Sequence, residues 1–136
     1  MDVSTRLADP TSVVLAFAAA YTQWERDMDA ADDGFNDPAL QSRHASILID
    51  YCTPKKRAYV DGIASVSNPP TYYKVISDNI DKTEQVSRSR VHVDTVQLDF
   101  HAYRFVVLKK ADGWRIDSVK WRFRLDGDWE NTLIGS

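Results

Sequence analysis

Tyr103-Arg104-Phe105-Val106-Val107-Leu108-Lys109-Lys110-Ala111-Asp112-Gly113-Trp114-Arg115-Ile116-Asp117-Ser118 lies across the junction of two strand-like runs. Leu98 to Lys109 and Trp114 to Leu125 are rich in Val, Ile, Tyr, Phe and Trp, which fit a pleated, half-buried surface. Between them, Ala111-Asp112-Gly113 reads as a hairpin turn, because the Asp-Gly pair supplies the left-handed angles of tight hairpins. The second run changes phase. Trp114 and Ile116 occupy even positions, whereas Val119, Trp121, Phe123 and Leu125 are odd. A bulge near Asp117-Ser118 returns both sets to one face and bends the strand there.

Working outward, Thr71 to Ile76 and Val86 to Val96 have the same strand composition. Ser67-Asn68-Pro69-Pro70 is a firm breaker, and before it the apolar period is that of a helix. Val13, Val14, Phe17, Tyr21, Trp24 and Met28 form one stripe, predicting a helix from about Pro10 to Asp29 with Asp9 or Thr11 as cap. Ala16, Ala18, Ala19 and Ala20 add helix propensity. Residues 30–37 read as a loop. A second helix starts with Asp37 as cap and Pro38 just inside, runs to about Tyr51, and places Leu40, His44, Ile47, Leu48 and Tyr51 on one face. Thr53-Pro54 ends it. Residues 54–66 fit a short third helix. Helices followed by a long-stranded antiparallel meander give an α+β class, about three N-terminal helices packed on one strongly bent sheet.

The chain has 136 residues and a formal charge of −3, which suits one domain over 1–136. Hydrophobic residues at 43% and charged residues at 27% are ordinary globular usage and argue against a disordered or fibrous protein. No apolar run approaches the ~20 residues of a membrane span. Residues 1–20 have Arg6 between Asp2 and Asp9 rather than a basic n-region, so no secretory signal is expected. The single cysteine, Cys52, allows no internal disulfide and fits a reducing, cytoplasmic compartment. Charge is uneven: residues 1–50 hold nine acids and three bases, residues 51–136 eleven acids and fourteen bases. Neither half is strongly basic and no reading motif occurs, so nucleic acid is not expected as a partner.

The 103–118 stretch resembles the last hairpin of nuclear transport factor 2-like domains, where Tyr103, Phe105, Lys110, Gly113, Trp114 and Ile116 match a Tyr-x-Phe … Lys-x-x-Gly-Trp-x-Ile pattern. The order of elements agrees over nearly the whole chain. Within that superfamily the chain is most similar to the bacterial immunity proteins of polymorphic toxin systems. The likeness rests on the strand Trp114-Arg115-Ile116-Asp117-Ser118, the turn Asp126-Gly127-Asp128-Trp129 and the Tyr-rich Pro69-Pro70-Thr71-Tyr72-Tyr73. The resemblance implies a cone-shaped domain whose partner is a cognate bacterial toxin domain, neutralised by occlusion of its active site without catalysis or cofactor. It also implies that a homodimer can form through sheet faces, burying the strand that holds Trp121. Trp129 then reads as a lid on the cone or as a dimer contact.

Enzymes of this fold, isomerase-like and dehydratase-like, place a carboxylate or His and a Tyr inside the cone, and a small-molecule enzyme or carrier is the alternative function. A general base needs a tuned pKa beside a proton donor in a dry pocket. The raw material is Tyr21, His44, His92, Asp94, Asp99, His101 and Tyr103, with Tyr21, His44 and His101 as first suspects. Asp99, His101 and Tyr103 alternate along one strand and so share a face, but Phe105 and Val107 continue it. His44 on an apolar helix face reads more simply as a core histidine holding a hydrogen bond. No metal site is expected: His92 and His101 are nine residues apart on different strands, and no His-x-x-x-His occurs.

Two surfaces suit a protein partner. Lys120, Arg122 and Arg124 alternate on the last strand opposite Val119, Trp121 and Phe123, and Arg88 and Arg90 repeat the pattern earlier. The acidic segment carries Asp27, Asp29, Asp32, Asp33 and Asp37, close behind Glu25, and suits a basic toxin. The two demand toxins of opposite charge. The acidic segment is slightly preferred, because Phe35 offers an apolar anchor beside the charges.

Overall fold

The computed structural model describes residues 8–54, 79–96, 102–123 and 127–132, apart from the side chains of Phe35, Asn131 and Thr132. Helix α1 spans Pro10–Ala30 and helix α2 Pro38–Tyr51, with a single 3-10 turn, Gly34–Asn36, between them. Both start as the sequence predicts. Asp9 accepts hydrogen bonds from the Ser12 amide at 2.9 Å and the Ser12 hydroxyl at 2.6 Å, with Pro10 in the first turn. Asp37 accepts from the Ala39 and Leu40 amides ahead of Pro38. Such caps satisfy amides that the helix itself leaves open, each worth about 1 kcal/mol. Of the expected helices, two α-helices stand among the described residues. The segment read as a third, 54–66, lies outside them from residue 55, as does the strand expected over 71–76.

Among the described residues the strands are β1 (Ile80–Ser87), β2 (Arg90–Thr95), β3 (Ala102–Lys110), β4 (Gly113–Arg122) and β5 (Glu130–Thr132). They form one five-stranded antiparallel meander in chain order. The β3–β4 hairpin closes at the pair Lys110–Gly113, where Gly113 takes φ 129°, a region that penalises any Cβ. The expected bulge is present: Val106 faces Ser118 and Val107 faces Ile116, so Asp117 is the extra residue. Trp114 and Ile116 before it, and Val119 and Trp121 after it, therefore reach one core.

Two strands went unread. Val86 to Val96 is not one strand but the end of β1, a turn at Arg88-Ser89, and β2. Every residue of β1 after Ile80 is exposed, so no apolar alternation marks it. The three-residue β5 is too short to carry a period.

The helices pack on the sheet face bearing Val91, Val93, Tyr103, Phe105, Val107, Ile116 and Val119. The whole predicted α1 stripe is buried there, and α2 contributes Leu40, Ile47 and Tyr51. The chain then leaves α2 along the edge of β4, where the Thr53 amide donates to the Ile116 carbonyl at 2.9 Å. The Thr53 hydroxyl also donates to Asp117 at 2.9 Å. No described helix is long and apolar enough to cross a membrane.

Candidate partner-binding site

The interior holds most of the pocket candidates. Tyr21 on α1 and His44 on α2 are joined at 3.1 Å between the phenol and Nε2, and both are 0% exposed. Trp24 lies against the imidazole with ring centroids 4.7 Å apart, and its indole N–H donates to the Leu40 carbonyl at 2.9 Å. Burial pushes the His44 imidazole down to about 4, because a charged ring would lose its water. Tyr103 belongs to the same core, whereas His101 lies outside the described residues. Tyr21 and His44 thus link the two helices among packed rings, the core role the sequence assigned to His44. Among the described residues, no group of His, Cys, Asp and Glu could hold a metal ion.

The acidic segment is less of a surface than its composition suggests. Glu25 is fully buried, since it shares the stripe of Tyr21, Trp24 and Met28. Asp27 pairs with Arg43 at 2.6 Å across the helices and also accepts from Gln23. Its carboxyl is held below the usual range, chiefly by the hydrogen bond from Arg43. Asp33 accepts from Asn36 at 2.8 Å, and Asp37 is the α2 cap. Asp29 and Asp32 are exposed, and the Phe35 side chain lies outside the described residues.

The outer face of the sheet, turned away from the helices, is built differently. The register places Lys82 opposite Asp94 and Glu84 opposite His92, then Asp94 opposite Arg104 and Arg104 opposite Lys120. Arg104 clasps Asp94 with two hydrogen bonds, Nε to Oδ1 at 2.8 Å and an Nη to Oδ2 at 2.9 Å. That pair is largely buried, with side chains 17% and 3% exposed. Trp129, just before β5, meets both the Arg104 guanidinium at 4.6 Å and that of Arg122 at 4.2 Å from its ring centroid. Arg90 donates to His92 at 3.3 Å, and the imidazole is pushed down by burial first and then by Arg104 and Arg90.

The predicted basic stripe is therefore partly realised. Lys120 and Arg122 share this face, β4 ends at Arg122, and Arg124 lies outside the described residues. The sequence did not single out Arg104. Its signal was the alternation Arg104, Val106, Leu108 opposite Tyr103, Phe105, Val107, which left Arg104 across the strand from the core.

The comparisons with known proteins agree with this architecture. The family model described as NTF2 fold immunity protein matches residues 9–132, from the cap of α1 to the end of β5. No curated protein and no solved structure matches the chain. A match over so much of the chain settles the family: the chain belongs to the NTF2 fold immunity proteins.

Proposed function

We propose that the chain binds a cognate secreted toxin domain in the cytoplasm and blocks its active site, with no reaction of its own. The observation that carries this reading is the extent of the family match, which takes in every described element. The interior supports it too. Tyr21, His44 and Tyr103, the residues an isomerase-like or dehydratase-like site would use, are buried members or neighbours of the packed core. Binding by an inert domain needs only a preformed surface.

The test is co-expression with the C-terminal domain of the toxin protein encoded beside this chain. Growth arrest by the toxin alone and recovery on adding the chain, with a one-to-one complex on purification, is the expected result. Arrest that persists at equal expression would refute the reading.

A further inference from the structure

We propose that the outer sheet face around Arg122 and Trp129 is where the chain grips its partner, and that the partner presents an acidic protein surface to it. This rests on the toxin-binding reading and names the face and the chemistry. Among the described residues, the cations Lys82, Arg90, Arg104, Lys120 and Arg122 share that face with the carboxylates Glu84 and Asp94. These seven side chains sum to +3 in a chain whose formal charge is −3. Such a reversal of sign on one face attracts and orients an acidic partner.

Within the face, Arg122 is the anchor. Asp94 already neutralises Arg104, and among the described residues Arg122 has no carboxylate partner. Its buried Nε–H likewise finds no acceptor among them. Trp129 fixes its guanidinium plane, so little side-chain freedom remains to be lost on binding.

Two other arrangements fit less well. A symmetric dimer through this face would set the positive patch against itself. The acidic corner has Asp27, Asp33 and Asp37 already engaged within the chain.

The experiment is calorimetric titration of the full chain with the purified C-terminal toxin domain encoded beside it, at low and high ionic strength. The variants are Arg122→Glu, Arg90→Glu and the double Asp29→Lys/Asp32→Lys, each checked for its melting temperature. The proposal expects Arg122→Glu to weaken binding about a hundredfold and Arg90→Glu several-fold. The double variant should stay within about threefold, and wild-type affinity should fall as salt rises. Arg90 is exposed, so its variant reports on the face even where Arg122→Glu fails to fold. Loss of binding in the double variant with both arginine variants unchanged would overturn the proposal. So would arginine variants that only abolish self-association by sedimentation, or only abolish binding of an oligonucleotide. A wild-type chain that does not bind the toxin domain would instead retire the toxin-binding reading itself.

Discussion

Arg115 shows how much one side chain of the hairpin holds. It grips Asp112 in the turn through Nε and a terminal nitrogen, and donates to the Ile49 carbonyl at 2.6 Å at the end of α2. A cation there satisfies carbonyls that the helix leaves open. With Asp117 holding Thr53, the string that carries the family resemblance is largely a set of ties between hairpin and helix. That string was legible for fold and silent on partner. His44 was legible as a core histidine from its helix face, and it gives a pH prediction. Its imidazole titrates near 6.5 when unfolded and at about 4 when folded, so its contribution is complete above about pH 6.5 and is lost as pH falls toward 4. The loss is of order 3 kcal/mol by the bottom of that window. Melting temperatures at pH 7 and 4.5 should drop further for the wild type than for His44→Gln, which cannot take up that proton. Equal drops would contradict the assignment. The Asp94–Arg104 clasp was not legible, because a pair ten residues apart meets only once the β2–β3 register is known. Arg104→Ala strands a buried carboxylate and should cost about 3–5 kcal/mol in urea unfolding. Asp94→Ala/Arg104→Ala should cost clearly less than the two single changes added together.

At the scale of elements, legibility followed burial. Both helices could be read because an apolar stripe and an Asp-Pro start agree at each of them. The bulge could be read because the core needed both phases of β4. Strand β1 could not, since exposure on both faces removes the alternation that marks a strand. The hairpin turn gives a direct test. Gly113 at φ 129° should tolerate no side chain without strain, so Gly113→Ala is expected to cost about 1–2 kcal/mol in urea unfolding. An unchanged midpoint would mean that the turn relaxes. Gly34 is a different case: a Cβ there would lie 2.8 Å from the Met28 sulfur and 3.1 Å from the Met28 carbonyl oxygen. Gly34→Ala should therefore disturb the corner between α1 and α2, read as a lowered melting temperature, and Met28→Ala should relieve part of it.

Over the whole molecule, charge in sequence and charge in space tell different stories. Of the two surfaces the sequence offered, the acidic segment was slightly preferred, but burial of Glu25, the Asp27–Arg43 pair and the Asp37 cap consume much of it. The second half offered Lys120, Arg122 and Arg90 as a basic stripe, but the cations of that face are spread over four strands and only the meander adds Lys82 and Arg104 to them. The central claim is that this domain acts by occupying its toxin, and the most direct measurement is a titration of the toxin domain's own activity with purified chain. The account predicts that activity falls linearly and vanishes at one equivalent, with Arg122→Glu requiring a large excess. Full toxin activity at several equivalents of folded wild-type chain would contradict it.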